Sequence, residues 1–153
     1  MQVLASYCRG HDMGNYDNVQ DVLNVFKQRK YHYGAGEEEK VQFNLIGSDL
    51  ANRDLAGIDL VNARLMTADL EYTDLSNANL GRANLQGANL KGANLQGAIF
   101  QGTNLLGAEH LTIQQLSKVK TLYGVKNLDH KLKGLVRKYY PHLLENPEKE
   151  ELK

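Results

Sequence analysis

Aspartate recurs at multiples of five residues through the middle of this 153-residue chain. The positions are Asp49, Asp54, Asp59, Asp69 and Asp74. Two carboxylates in a shared pocket can serve as general acid and general base, because the pocket shifts their pKa values apart. The segment that carries these aspartates reads as short extended pieces joined by turns, so neighbouring carboxylates point in different directions. They predict an acidic outer surface and no catalytic site.

Cys8 and His11 have the spacing of half a zinc site. A structural zinc site needs four ligands, and Cys8 is the only cysteine in the sequence. The remaining histidines are scattered along the chain, at His32, His110, His130 and His142. The glycines follow a repeat and do not form a phosphate-binding loop after a strand. We therefore expect no metal, no cofactor and no disulfide.

The overall charge is balanced, with 18 basic and 18 acidic residues. This balance argues against a protein that binds nucleic acid over its whole surface, and against a strongly acidic mimic of DNA. The sequence contains neither a basic leader followed by a long apolar run nor 18 consecutive apolar residues. We expect a cytoplasmic location.

The dominant pattern is a repeat of five residues. Leucine or phenylalanine occupies every fifth position from Leu45 to Leu105, which gives 13 consecutive units over residues 43–107. A small residue usually stands two positions earlier, Asp or Asn stands between the two, and Gly or Asn often ends the unit. A period of five fits neither an α-helix nor a continuous strand. It fits a short extended piece with the small residue and leucine inward, followed by a tight turn.

The run Ala83-Asn84-Leu85-Gln86-Gly87, continued to Leu95, resembles the A(D/N)LXX motif of the pentapeptide-repeat family. The resemblance implies an all-β solenoid, a right-handed quadrilateral β-helix with four units in each coil. Residues 43–107 would form about three coils, flanked by an N-terminal segment (1–42) and a C-terminal segment (108–153). Phe43, Arg53 and Ile58 replace small residues in the first coil, which indicates an irregular coil next to a cap.

The open ends of such a solenoid need a cover, and we expect an α-helical cap at each end. Before the repeat, apolar residues from Val19 to Phe26 follow helical spacing, which predicts a helix over about 18–30. After the repeat, Thr112 and Gln115 form a capping-box pattern. A helix from there would end near Gly124 as its C-cap. Its apolar positions are Ile113, Leu116, Val119 and Leu122.

A second C-terminal helix should begin after Asp129 and end at Pro141. Its inward residues are predicted to be Leu132, Leu135, Val136 and Tyr139.

Apolar residues at outward positions mark a candidate interaction surface, because contiguous exposed apolar area usually indicates an interface. Together with the arginine among them, these residues are Ile46, Val61, Arg64, Met66, Ile99 and Leu106. Two alternatives remain open at this stage. A terminal helix of the chain covers the surface, or a homodimer or another protein binds there.

These observations predict a non-enzymatic protein-interaction scaffold or regulatory binding module with a protein partner of unknown identity. The resemblance also implies a first alternative, a DNA-mimicking inhibitor or protector of a type II topoisomerase. Residues 43–107 carry six acidic and four basic residues, a net charge of −2, which makes a poor copy of DNA. A second alternative is binding of anionic membrane or nucleic acid by the basic C-terminal helix. We expect neither nucleic acid nor membrane to be the main partner.

Overall fold

The computed structural model describes residues 43–147, and parallel backbone bridges join positions 20 residues apart over most of the repeat. The first bridges of the four columns are Asn44 with Arg64, Asp49 with Asp69, Asp54 with Asp74 and Asp59 with Asn79. Two hydrogen bonds flank each bridge, as where Leu45 N–H donates to Arg64 C=O and Arg64 N–H donates to Phe43 C=O, both at 2.8 Å. Four five-residue sides therefore close one coil of a four-sided β-helix. We number the sides 1 to 4 in the order of these bridges.

The corners between sides are tight turns with the φ pattern of type II. Each leucine carbonyl accepts a hydrogen bond from the N–H three residues later, as Leu45 does from Ser48 at 3.2 Å. The third residue of every turn from Gly47 to Gly107 has a φ between 54° and 70°. Glycine and asparagine tolerate this conformation best, and the sequence predicted them at the corners. Thr67 and Tyr72 also adopt it, although it is uncommon for branched or bulky residues.

The interior is filled by the repeated leucines. All 13 Leu or Phe residues from Leu45 to Leu105 are at most 3% exposed, as the five-residue period predicted. Where threonine takes the small inward position, its hydroxyl finds a partner in the coil below. Thr73 Oγ1 donates to Leu50 C=O at 2.8 Å, and Thr103 Oγ1 donates to Leu80 C=O at 2.7 Å. These bonds remove the penalty for burying a hydroxyl group.

The first coil departs from this regular interior. Ile58 is buried, whereas Phe43 and Arg53 are only half-buried. The Nε atom of Arg53 is itself buried and has no hydrogen-bond partner. The predicted irregularity of the first coil is confirmed at Phe43 and Arg53, whereas Ile58 is buried like the regular inward positions.

After Glu109 the chain leaves the five-residue period for a single helical turn, α1 (Ile113–Leu116). The predicted capping box is confirmed, since Thr112 Oγ1 accepts from Gln115 N–H at 3.2 Å and Gln115 Oε1 accepts from Thr112 N–H at 2.9 Å. The prediction that this helix continues to Leu122 is wrong. Thr121 bridges to Ile99 and Lys126 bridges to Asn104, so the chain resumes the coil two residues out of step.

The uncovered edge of the preceding coil explains this early end. Lys120 N–H donates to Ala98 C=O at 2.8 Å, and Phe100 N–H donates to Thr121 C=O at 3.0 Å. A longer helix would leave those edge groups without partners. Gly124, predicted as a helix C-cap, has a φ of 66° at a coil corner, where Val125 N–H donates to Leu122 C=O at 3.0 Å.

Gln115 joins α1 to the coil beneath it. Its Nε2 donates to Leu90 C=O at 2.8 Å and to Ala93 C=O at 3.0 Å. In the coils below, the carbonyl at the Ala93 position accepts a ladder bond from a backbone N–H, as Thr73 C=O does from Asn94. The side-chain amide of Gln115 therefore supplies the donor that the missing strand would have given.

The second predicted helix is confirmed as α2 (His130–Tyr139), with Asp129 as its N-cap. A 3-10 turn (Pro141–Leu144) follows, and Leu122 N–H donates to Leu143 C=O at 2.7 Å. Val136 is fully buried, but Leu135 and Tyr139 are 37% and 57% exposed, so their predicted inward orientation is wrong. The helix packs along the i, i+4 line through Leu132, Val136 and Tyr140, and that line turns Leu135 and Tyr139 outward.

Several predictions fall outside residues 43–147. They are the N-terminal helix over about 18–30, the Cys8 and His11 pair, and His32. They stay predictions, as do the roles of the two terminal segments as caps.

We expect Gln115→Ala to lower the free energy of unfolding by about 1–3 kcal/mol, because Ala93 C=O loses its only recorded donor and the capping box is broken. Urea denaturation followed by circular dichroism measures the change. Gln114→Ala is the matched control, because Gln114 is exposed and its side chain makes no recorded bond. Equal stability of the two variants would show that Gln115 is dispensable.

Candidate interaction surface

The outward aspartates are bound to the corners that follow them. In each case the carboxylate Oδ1 accepts a hydrogen bond from the backbone N–H two residues later. The distances are 3.1 Å from Ala51 to Asp49, 3.0 Å from Ala56 to Asp54, 3.1 Å from Val61 to Asp59, 3.0 Å from Glu71 to Asp69 and 2.9 Å from Ser76 to Asp74. The motif therefore uses Asp to fix its turns, a structural role that the sequence analysis missed.

Asparagine fills most outward positions in the later coils and makes the same bond to its own corner. Its amide group adds a second bond, to the coil below. Asn89 Nδ2 donates to Asp69 Oδ1 and Asn94 Nδ2 donates to Asp74 Oδ1, both at 3.0 Å. An ionised aspartate can only accept hydrogen bonds, so Asp above Asp, as at Asp49–Asp69 and Asp54–Asp74, brings two like charges together. The change from Asp to Asn along the chain thus stabilises the stacking of coils.

The corner between sides 2 and 3 carries a small charged cluster. Lys91 Nζ lies 2.6 Å from Glu71 Oε1 and 5.6 Å from the centre of the Tyr72 ring. The hydrogen bond and charge of Glu71 raise the pKa of Lys91, and the nearby Tyr72 acts in the same direction. The Tyr72 ring lies over Gly92, where a Cβ atom would collide with it. All of these side chains are largely solvent-exposed or half-buried, so the cluster is a surface ion pair.

The predicted interaction residues lie around side 1. We define the side-1 surface as residues 43–47, 61–67, 81–87, 101–107 and 123–128, which comprise side 1 and the corners that border it. Its outward backbone positions are stacked by the bridges Asn44–Arg64, Arg64–Asn84, Asn84–Asn104 and Asn104–Lys126. This surface runs the full height of the described coils.

Three predicted residues share one border of this surface. Ile46, Met66 and Leu106 occupy the same corner position in three different coils, with Gln86 between the last two. Leu106 is 49% exposed, whereas Ile46 and Met66 are half-buried. The register of the bridges thus brings together residues that are 20 and 40 positions apart.

The described part of the C-terminal segment, residues 108–147, contacts this border at its top. A cavity of about 320 Å³ separates Leu106 from the start of α2. Its apolar lining includes Leu105, Leu106, Leu111, Leu128 and Leu132. Among the described residues, Leu106 is therefore the only one of the predicted surface residues that supports its coverage by a terminal helix.

The other border contains a shallow cleft of about 240 Å³ between Val61 and Ile99. It is lined by Val61, Asn79, Gly81, Arg82, Ile99 and Gln101. Gly81 opens this cleft, since a Cβ atom there would lie 3.1 Å from Asn79 Oδ1 and 3.6 Å from Val61 Cγ2. Ile99 belongs to side 4, so the cleft lies across the corner between side 4 and the side-1 surface.

Arg64 and Arg82 give the side-1 surface a positive charge. Both are exposed, and neither guanidinium group has a recorded hydrogen bond or ion pair with another residue of the described range. All seven carboxylate residues between positions 43 and 128 lie outside this surface. They are Asp49, Asp54, Asp59, Asp69, Glu71, Asp74 and Glu109. The surface therefore combines apolar borders with an unpaired basic centre.

The sequence analysis missed Gly81 and Arg82. One signal was available in the repeat, because Gly81 is the only glycine at the first corner position among the 13 units. Every other unit places a side chain there. A gap in that column next to Val61 predicts a notch in the outer surface.

A model of pentapeptide repeats matches residues 44–82 and 78–109, with eight copies of the motif. The chain belongs to the pentapeptide-repeat family. Membership implies that the four-sided β-helix of this pentapeptide-repeat protein winds to the right. A comparison with curated proteins gives no match.

Three solved structures are similar to parts of this pentapeptide-repeat protein. The plasmid-mediated fluoroquinolone resistance protein QnrB1 is 21% identical, over 61% of this chain and 43% of its own, with a TM-score of 0.49. A pentapeptide-repeat protein from the thylakoid lumen of Arabidopsis thaliana is 23% identical, over 62% and 74% respectively, with a TM-score of 0.39. One from Nostoc PCC 7120 is 30% identical, over 56% and 81%, with a TM-score of 0.32. The chain thus spans less than half the length of QnrB1.

Residues 43–147 of the pentapeptide-repeat protein contain no group of three or more His, Cys, Asp or Glu side chains placed to hold a metal ion. No helix within this range is long and apolar enough to cross a membrane.

We expect Asn89→Asp to destabilise the fold by about 1–2 kcal/mol near neutral pH, because the new carboxylate would face Asp69 and Glu71 without a donor. High salt should reduce the loss, since it screens the repulsion between exposed charges. Chemical denaturation at low and high sodium chloride concentrations measures both effects.

Gln96→Glu is the matched control for Asn89→Asp. It adds the same charge at an exposed corner where the Gln96 side chain makes no recorded bond. If both variants lose the same stability, the side-chain bonds from asparagine to the coil below do not explain why asparagine replaces aspartate in the later coils.

Proposed function

We propose that this protein is a non-enzymatic interaction module that binds a protein partner through the side-1 surface. The observation that carries the proposal is the stacking of Ile46, Met66 and Leu106 at outward positions along one border. Surface apolar residues that are scattered singly need no explanation, whereas apolar residues aligned on one border, interrupted only by Gln86, with a cleft on the opposite border of the same side, are typical of an interface.

The environment of the carboxylates supports a binding role over a catalytic one. Asp49, Asp59 and Asp69 each hold a corner N–H. Asp59 projects from side 4, whereas Asp49 and Asp69 are stacked on side 2, so the expectation that neighbouring carboxylates point in different directions is wrong for this pair. Acid–base chemistry needs two such groups in one concave, partly desolvated place. The outward positions of a convex solenoid supply carboxylates on an open surface instead.

We expect the unaltered chain to capture a partner protein from lysate of the source organism. The double variant Met66→Ser/Leu106→Ser should no longer retain that protein. The two substitutions remove apolar contact area and leave the buried leucines and the bridges untouched. Quantitative mass spectrometry of proteins retained by the immobilised full-length chain measures the difference.

Gln96→Ser/Gln114→Ser is the control, because it changes two exposed polar residues outside the side-1 surface. Equal capture by all three forms would contradict the side-1 surface as the binding site. Sedimentation of the purified chain tests the homodimer separately, and a dimer that Met66→Ser/Leu106→Ser dissociates would identify a second copy as the partner.

A second candidate function uses sides 2 and 3. Six carboxylates are concentrated there, at Asp49, Asp69, Glu71, Glu109, Asp54 and Asp74. Such a stripe favours the hypothesis of a DNA mimic acting on a type II topoisomerase, and the similar protein QnrB1 is a fluoroquinolone resistance protein. The stripe is short, and Lys91 neutralises Glu71 within it.

We expect the protein to leave DNA supercoiling by gyrase unchanged at micromolar concentration, because the stripe reproduces only a small part of the charge density of duplex DNA. A supercoiling assay with and without fluoroquinolone measures inhibition and protection together. Inhibition or protection that Asp69→Asn/Asp74→Asn abolishes would establish the mimic instead.

A further inference from the structure

The charges on the described coils are separated by side. Arg64, Arg82 and Lys126 are the charged residues of the side-1 surface, and all three are basic and exposed. The nearest carboxylate along the chain on its side-4 border is Asp59, whose Oδ1 is bound to Val61 N–H at 3.1 Å. Within the described coils, side 1 thus carries no carboxylate, and the first one beyond its last residue is Asp129, which accepts from Lys131 N–H at 3.0 Å and from Leu132 N–H at 3.1 Å as the N-cap of α2.

Arg64 and Arg82 are the two exposed arginines of the coils, and their guanidinium groups have no recorded partner among residues 43–147. Elsewhere Lys91 is paired with Glu71 at 2.6 Å. An arginine guanidinium offers five donors in a planar fork that matches a carboxylate. Two guanidinium groups without a recorded partner, of which Arg82 lines the cleft between Val61 and Ile99, therefore offer carboxylate recognition that the described residues do not use.

The apolar features determine which kind of acidic partner fits. Val61 and Ile99 form the walls of the cleft next to Arg82, and Met66 follows Arg64 at the opposite corner. A nucleic acid backbone would gain little from these aliphatic groups, because phosphates are recognised by cations and polar donors. An acidic peptide with leucine or isoleucine between its carboxylates would use both features.

We propose that the partner of the side-1 surface is an acidic, aliphatic-rich peptide segment whose carboxylates bind Arg64 and Arg82. One aliphatic side chain of the segment enters the cleft that Gly81 leaves between Val61 and Ile99. This inference rests on the proposed function, since it specifies the partner of the same surface.

The test uses the full-length chain and three synthetic peptides of about eight residues, a length that spans all described coils when extended. The first alternates glutamate with leucine, the second alternates lysine with leucine, and the third alternates glutamate with serine. A single-stranded oligonucleotide of similar charge is the fourth probe. Titrations followed by NMR of the labelled chain detect binding up to millimolar dissociation constants.

We expect the glutamate–leucine peptide to bind most tightly and to shift the signals of Val61, Arg64 and Arg82. Arg64→Gln/Arg82→Gln should weaken its binding about three- to tenfold and reduce its salt dependence. Lys118→Gln/Lys120→Gln, which removes two exposed charges away from the side-1 surface, should leave binding unchanged.

Four results would overturn the inference. The first is that the glutamate–leucine peptide does not bind. The second and third are that the lysine–leucine or glutamate–serine peptide, or the oligonucleotide, binds as tightly as the glutamate–leucine peptide. The fourth is that Arg64→Gln/Arg82→Gln binds the glutamate–leucine peptide as tightly as the unaltered chain does. The lysate capture distinguishes this failure from failure of the proposed function. A partner lost by Met66→Ser/Leu106→Ser but kept by Arg64→Gln/Arg82→Gln would leave the interface in place and exclude acidic recognition.

Discussion

The hydrogen-bond ladder between positions 20 residues apart constrains everything else in this molecule. Each coil must repeat the backbone of the coil below, because a slip of one residue would turn the inward leucines to the outside. The ladder therefore requires a positive φ at every corner, even where Thr67, Tyr72 and Arg82 must adopt it. Side-chain identity is free only at the outward and corner positions, and the residues that could recognise a partner lie there.

The same constraint explains why the solenoid separates its charges by side. An outward residue is stacked above the residue 20 positions earlier, so a carboxylate repeated at that interval repels its own copy. Sides 2 and 3 each keep one such pair, Asp49–Asp69 and Asp54–Asp74, and the next coil places Asn89 and Asn94 above them, whose amides donate to Asp69 and Asp74. Side 1 has no carboxylate to relieve, and its stack contains Asn84 and Asn104 bonded to each other at 3.0 Å. Arg64 is stacked between Asn44 and Asn84, so the positions directly above and below it supply no carboxylate partner.

Sequence reasoning predicted the regular part of the fold because a five-residue period leaves few alternatives. It identified the buried leucines and the capping box of Thr112 and Gln115. It failed where the period stops, because the apolar spacing from Ile113 to Leu122 fits a helix as well as a returning coil. The edge carbonyls and N–H groups near Ala98 and Phe100 decide between these two, and their positions are known only after the coils are stacked.

The candidate surface was predictable in part for a related reason. The departures from the motif at Met66 and Leu106 are visible in the sequence, whereas the notch at Gly81 depends on which side chains flank it. Five stacked positions spaced about 4.8 Å apart, on a side whose three extended residues span about 10 Å, offer only about 250 Å². A globular partner typically covers about 800 Å². An extended segment that uses one side and its two corners fits this small area. Because the area is small, recognition of such a segment depends on the cleft and the two arginines acting together.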